Sequence, residues 1–215
     1  MKKVAFFGGT GGLGVKTGEF LRHNYIVDSV GSDKVNFKSS SEITTYFKHN
    51  TDVDVVVLFN NYNFNSFIHK YTVDTTRLQD QIQINIEGIT RVVSEALKVM
   101  RNNSYGRIII ASSITADRSV MGTGVYAACK AYCDNLVKTI ALENGSKGIT
   151  ANCIQLGYMD AGLCDQLTPE FREKLLCEIP CGRFGSSEEI AQVIDFMIDT
   201  EYVNGSTVKL TGGLN

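Results

Sequence analysis

Residues Ser113 to Lys130 read SITADRSVMGTGVYAACK. The run that leads into them, Arg107-Ile108-Ile109-Ile110-Ala111, has the continuous apolar character of a strand buried on both faces of a parallel sheet. The residues that follow, from Val125 to Glu143, read as a helix. Residues four apart lie on one helix face, about one turn apart. The spacing therefore predicts that the Tyr126 phenol and the Lys130 ammonium share a face, close to the strand end that carries Ser113. An ammonium beside a phenol favours the phenolate, which suits the pair to proton transfer. Taken alone, a Tyr and a Lys four apart more often mark a solvated helix face.

A second stretch changes that weighting. Lys3 to Phe7 (KVAFF) is a short apolar run, and Gly8-Gly9-Thr10-Gly11-Gly12-Leu13-Gly14 follows it. Gly8, Gly12 and Gly14 give G-x-x-x-G-x-G; Gly9, Gly11 and Gly14 give G-x-G-x-x-G. In either register glycines admit positive φ and let the backbone approach a pyrophosphate, and the next helix aims its N-terminal N–H groups at that anion. Such a turn can also be a plain connector. A strand before it and a helix from about Leu13 to Arg22 after it favour dinucleotide binding.

With both stretches in view, the chain resembles the short-chain dehydrogenase/reductase family. The resemblance implies that Ser113, Tyr126 and Lys130 form a catalytic triad, with Asn85 as a fourth catalytic residue. In that family the Asn distorts its helix and binds a water that continues a proton relay. The implied cofactor set is Gly8, Thr10, Gly12, Leu13, Gly14, Ser32, Asn36, Asn60, Asn61, Tyr126, Lys130, Gly157 and Met159. Asn36 falls where relatives carry an Asp that contacts adenine.

The rest of the chain is consistent with a parallel α/β sheet. Tyr25 to Val30 reads as a second strand and Lys34 to Phe37 as a third. Only Gly31, Ser32 and Asp33 separate them, too few for the crossover a parallel pair needs. Relatives have a helix here, so the chain is trimmed at this point. Ser41 to His49 reads as a helix capped by Ser40 or Ser41, and Val53 to Phe59 as a buried strand. Asn60-Asn61-Tyr62-Asn63 follows where the family has Asn-Asn-Ala-Gly. Asn60 and Asn61 either tie strands together or lie beside the cofactor, and Tyr62 is expected to narrow the site.

Leu78, Ile82, Ile86, Ile89, Val93, Leu97 and Met100 recur at helical spacing, predicting a long amphipathic helix from Thr75 to about Arg101. Ile149 to Leu156 is another buried strand. Residues 158–185 carry Met159, Leu163, Leu167, Phe171, Leu175, Leu176 and Ile179 among polar residues. They read as one or two amphipathic helices, with a start at Thr168-Pro169-Glu170. This segment is either a lid over an apolar pocket or ordinary core. Ser186 or Ser187 caps a helix to about Asp199, and Thr207 to Leu210 is a last short strand. Leu156 stands where the family has Pro, and Ala161 where a Thr commonly contacts the nicotinamide carboxamide.

The 215 residues, 43% hydrophobic and 20% charged, suit one domain with a sizeable core. A formal net charge of −2 gives no reason to expect nucleic acid or an anionic membrane as partner. No apolar run approaches the roughly 20 residues of a membrane span, and Met-Lys-Lys leads into a strand rather than into a signal peptide. The six cysteines form no C-x-x-C pair and lack nearby histidines. They read as buried reduced thiols of a cytoplasmic protein rather than as a zinc site or any other metal site.

The expected fold is one doubly wound Rossmann domain over residues 1–215, with helices on both faces of a parallel sheet. By resemblance it reduces a ketone, or oxidises the matching secondary alcohol, with NADP favoured over NAD. Counting about 20 residues past the glycine turn reaches Gly31 or Ser32 rather than the carboxylate that NAD enzymes place there. Ser32 and Lys34 could donate to a 2′-phosphate, whereas Asp33 could serve as the missing acid. Two alternatives stay open: a reductase-like dinucleotide sensor without turnover, and a nucleotide-sugar epimerase or dehydratase. The helices at 75–101 and 123–143 resemble the family's dimerisation helices, which implies a homodimer or homotetramer.

Overall fold

The computed structural model of the chain describes residues 1–71, 75–162 and 167–214. Six strands make one all-parallel sheet in the order β2-β1-β3-β4-β5-β6. They are β1 (Lys3–Phe7), β2 (Ile26–Val30), β3 (Val55–Leu58), β4 (Gly106–Ser113), β5 (Ile149–Leu156) and β6 (Thr207–Leu210). Helices cover both faces, as parallel strands require. Side chains alternate between them. Val4, Phe6, Val55, Val57 and Ile109 pack into one core with α1 (Gly12–Leu21) and α7 (Ser187–Asp199). Ala5, Phe7, Val56, Leu58, Ile108 and Ile110 pack into the other, with α2 (Ser40–His49), α4 (Ile89–Asn103) and α5 (Gly124–Asn144). This is the period of two that a pleated strand imposes.

The chain leaves β1 for β2 on one side and for β3 on the other. The order therefore reverses between β1 and β3, and a crevice opens at their carboxyl ends. The glycine turn follows β1 and Asn60 follows β3. Ser113 closes β4, and Gly157 follows β5.

Residues Lys34 to Phe37 are not a strand. After Gly31 the chain turns: the N–H groups of Lys34 and Val35 both donate to Gly31 O, at 3.1 and 3.0 Å. Val35 and Phe37 are buried in the core, with the Phe37 ring edge-on to Phe7 at 5.7 Å. Three residues cannot carry the chain back over the sheet, so the apolar pair plugs the core instead and β2 remains the edge. The cap of α2 is Ser39 rather than Ser40 or Ser41; its Oγ accepts from Glu42 N at 3.3 Å.

The long amphipathic helix is one rod in three parts: α3 (Thr75–Ile82), a π-helical turn (Gln83–Gly88) and α4. The widened turn contains Asn85. At the carboxyl side, α6 (Pro169–Glu178) starts with Thr168 Oγ1 accepting from Phe171 N at 3.3 Å. Ser186 and Glu189 form a reciprocal capping box at the start of α7. Leu163 and Cys164 lie outside the described residues. Cys129, Cys133 and Cys153 are buried, and burial pushes the Cys133 thiol up to about 11. Cys177 and Cys181 are exposed, which corrects the expectation of buried thiols at those two positions. Cys177 lies in the last turn of α6 and Cys181 three residues past its end, both at the surface.

Candidate active site

The glycine turn is shaped by close approach. Gly8 has φ +82°, and a Cβ there would lie 2.6 Å from Asn60 N. A Cβ on Gly14 would run into Gly8 O and come within 2.8 Å of Gly9 Cα. Gly11 has room, since a Cβ there would find Gly8 O as its nearest neighbour at 3.5 Å. A Cβ on Gly9 would lie 2.8 Å from Phe6 O, so both registers have ends that are sterically required; what sets the register through Gly9, Gly11 and Gly14 apart is its middle glycine, Gly11, which is not crowded. Helix α1 begins directly after the turn with no side-chain cap and no acidic residue in its first turn. Its N–H groups are left for an anion.

The turn forms one wall of a cleft of about 1020 Å³ at the carboxyl ends of the strands. Every residue of the expected cofactor set lines it: Gly8, Thr10, Gly12, Leu13, Gly14, Ser32, Asn36, Asn60, Asn61, Tyr126, Lys130, Gly157 and Met159. Ser113 lines it too. Of the four expected catalytic residues, only Asn85 does not reach it.

Helix α5 starts beside the cleft and presents Tyr126 and Lys130 from the same face, both buried. Lys130 is only 2% exposed, so its ammonium needs a partner; it donates to Ala111 O at 2.9 Å. It also stands 5.6 Å from the Tyr126 ring centroid. The Tyr126 hydroxyl accepts from Asn61 Nδ2 at 3.4 Å. Ser113 Oγ accepts from both Thr115 N, at 3.2 Å, and Thr115 Oγ1, at 3.1 Å.

Asn85 sits one layer back, fully buried in the π turn. Its Oδ1 accepts from Tyr62 N at 2.9 Å and its Nδ2 donates to Tyr62 O at 2.6 Å. One turn earlier, Gln81 Oε1 accepts from Phe64 N at 2.6 Å. Two buried amides thus pin the loop that carries Asn61 to Tyr126. Substituting Asn85 by Ala is expected to leave both Tyr62 backbone groups unpaired, at about 1–3 kcal/mol each. A urea midpoint unchanged from the parent would show that the loop finds other partners.

Other expected details differ. Tyr62 does not line the cleft; its backbone is held by Asn85, and Asn63 and Asn65 face the cleft instead. Lys34 does not line it either, because its ammonium pairs with Asp28 at 2.6 Å. Asp28 is further held by the Tyr46 hydroxyl at 2.8 Å. The Asp33 carboxylate lies against Gly31 beside the Thr10 hydroxyl. Thr115 and Tyr158 also line the cleft, with no role expected of them from the sequence, as does Gly31, one of the two positions reached by counting from the glycine turn. A Thr two residues after the strand-end Ser was the available signal for the first.

A dinucleotide fits this cradle on two observations. The close approach at Gly8 and Gly14 leaves a smooth backbone surface at a helix N-terminus. Both amide atoms of Asn60 are buried with no partner among the described residues, a state that buried polar groups rarely keep without a ligand or water. The fold and site together define a dinucleotide-dependent oxidoreductase of the parallel α/β type.

Residues 36–215 match a family profile described as enoyl-(acyl carrier protein) reductase. The chain belongs to the short-chain dehydrogenase/reductase family. It is similar to the 3-oxoacyl-(acyl-carrier-protein) reductase of Pseudomonas aeruginosa, 35% identical over 63% of this chain and 56% of that protein. The corresponding reductase of Rickettsia felis is 28% identical over 96% of this chain and 94% of its own length. An acetoacetyl-CoA reductase of Shinella zoogloeoides is 32% identical over 75% of this chain and 67% of that protein. Among solved structures, a small-chain dehydrogenase in complex with NADPH superposes with a TM-score of 0.88 at 20% identity, covering 99% of this chain and 98% of that one. The latter likeness is one of fold.

Proposed function

We propose that the chain reduces the ketone of a 3-oxoacyl thioester, such as an acetoacetyl or longer 3-oxoacyl group, to the secondary alcohol with NADP(H). Residues 1–215 act as a single dinucleotide-binding and catalytic domain. The observation that carries this reading is the convergence of Ser113, Tyr126 and Lys130 on the cleft that the glycine turn borders. The bound cofactor supplies hydride to the carbonyl carbon.

The chain's own residues do the rest. Ser113 donates a hydrogen bond to the carbonyl oxygen, and Tyr126 gives that oxygen its proton. Lys130 holds the nicotinamide ribose and keeps a positive charge beside the phenol. Asn85 acts from one step back: one bond to its Oδ1 and one from its Nδ2 go to Tyr62, and so it holds the loop that brings Asn61 to Tyr126. Gly8, Thr10, Gly12, Leu13 and Gly14 take the pyrophosphate. Ser32 and Asn36 take the adenosine end, Asn60 and Asn61 the middle, and Gly157 and Met159 the nicotinamide.

The test is NADPH oxidation with acetoacetyl and longer 3-oxoacyl thioesters, run beside the 2-enoyl thioester of matching length. Turnover of the oxo compounds is expected. Turnover of the enoyl compound alone would move the reaction to the carbon–carbon double bond named in the family profile. Cofactor binding with no turnover of any carbonyl compound would favour a sensor.

NADP(H) is supported by the NADPH-bound neighbour of similar fold and by Ser32 at the adenosine end, with Asp28 committed to Lys34 and Tyr46. NADPH is expected to bind more tightly than NADH. Tighter NADH binding, lost in Asp33→Ala, would overturn this and make Asp33 the acceptor for the ribose 2′-hydroxyl.

The substrate end of the cleft is walled by Leu167, Phe171 and Leu175. The segment is tied down behind α6 by Asp160 N on Gly185 O at 2.8 Å and Gly185 N on Tyr158 O at 3.0 Å. Phe171 is half exposed. Helix α6 serves as a lid over the acyl group. Hydrogen exchange should show its amides gaining protection when NADPH and substrate analogue bind; equal protection in both states would make it ordinary core.

A homodimer or homotetramer through α4 and α5 is part of the same proposal, supported by the outward Leu142 of α5, 88% exposed. Light scattering of the eluted protein tests it. A cytoplasmic location is supported by the unpaired thiols of Cys129, Cys133, Cys153, Cys177 and Cys181.

A further inference from the structure

We infer that Thr115 is a positioning residue that fixes the Ser113 hydroxyl as a hydrogen-bond donor toward the substrate's carbonyl oxygen. The inference rests on the reductase reading above and goes one residue beyond its triad.

Ser113 ends β4 in extended backbone, with φ −143° and ψ 150°, and caps a short 3-10 turn, Ile114–Ala116. That turn folds Thr115 back over the serine. Both the Thr115 N–H and the Thr115 hydroxyl then donate to Ser113 Oγ, at 3.2 and 3.1 Å. A serine hydroxyl has one proton to donate and two lone pairs to accept with. Both lone pairs are therefore engaged from the protein side, and what is left is the O–H.

Ser113, Thr115, Tyr126 and Lys130 border the same cleft. A ketone oxygen brings lone pairs and no proton. A serine free to rotate spends part of its time presenting a lone pair to that oxygen, which is repulsive. Thr115 removes that orientation by filling the lone pairs. Accepting two hydrogen bonds also polarises the O–H and strengthens it as a donor. The developing negative charge on the oxygen then meets a donor already aimed, the arrangement that lowers a barrier without reorganisation.

The test uses Thr115→Val, which removes the hydroxyl but keeps the branched shape and the backbone N–H, and Thr115→Ser, which keeps the hydroxyl. Losing one oriented hydrogen bond is expected to lower kcat for 3-oxoacyl reduction by roughly three- to tenfold. The dissociation constant of NADPH and the melting temperature should stay at the parent values. Thr115→Ser should restore the rate. In a Ser113→Ala background, Thr115→Val should change the residual rate less than about twofold, because no hydroxyl remains to be oriented. An equal loss in both backgrounds, a neutral Thr115→Val, or a Thr115→Ser as slow as the valine variant would each overturn the proposal. A Ser113→Ala variant as fast as the parent would remove the reductase reading itself, and the proposal with it.

Discussion

Tyr126→Phe is expected to leave the fold and the NADPH affinity intact and to lower turnover about 10²- to 10⁴-fold, the usual cost of removing a positioned acid. The phenyl ring fills the same buried place on α5, and only the hydroxyl goes. The hydrogen bond lost in the unliganded protein is the long one from Asn61 Nδ2, at 3.4 Å, so little folding energy rides on it. Lys130 keeps its bond to Ala111 O at 2.9 Å and its place beside the ring. Steady-state reduction of a 3-oxoacyl thioester, with NADPH affinity from fluorescence titration, reads both halves of the expectation. Near-parent turnover would mean that another group supplies the proton, and the role given to Tyr126 would be wrong.

Gly14→Ala should do the opposite: a large loss of cofactor affinity without touching any reacting group. The new methyl would collide with Gly8 O and press Gly9 Cα at 2.8 Å. These are backbone atoms that cannot swing aside like the end of a side chain. The turn and the start of α1 must part, and the N–H groups that would meet the pyrophosphate move with them. A displacement of about 1 Å at a positioned site commonly costs on the order of 10²-fold, and the same scale is expected for the NADPH dissociation constant. Gly11→Ala is the control, because a Cβ there meets nothing closer than 3.5 Å. Equal effects at Gly11 and Gly14 would show that close approach is not what the turn needs.

How far the sequence could be read follows from how local each feature is. Tyr126 and Lys130 were legible because four residues on a helix determine a shared face without help from the rest of the molecule. Ser186 with Glu189, and Thr168 before Pro169, were legible as helix starts for the same reason. The Ser39 cap was also within reach, since Ser39 and Glu42 keep the S-x-x-E spacing of a capping box. Ser39, Ser40 and Ser41 are consecutive, and only the spacing to Glu42 distinguishes the first of them as the cap. Lys34 to Phe37 failed for a different reason. Val35 and Phe37 alternate as in a strand, but a strand also needs an open neighbour and a path to it. The three residues between Val30 and Lys34 already leave no room for that path, and the folded chain shows where the apolar pair goes instead: into the core, with β2 left as the edge.

The sequence by itself determined the helices, the strands other than the one expected at Lys34 to Phe37, the glycine turn and the chemical groups at the strand ends, because spacing and residue type along the chain carry those signals. Tertiary structure alone decided what those groups do with their hydrogen bonds. Asn85 was readable as a polar break in an apolar stripe, but its hold on Tyr62 spans 23 residues. Lys34 looked free to meet a phosphate until folding set it on Asp28. Asn63 faces the cleft, and Tyr62 does not line it, because buried amides from a distant helix hold the loop by its backbone. A hydrogen bond constrains angle as well as distance, so its partner is settled only when the whole chain has packed.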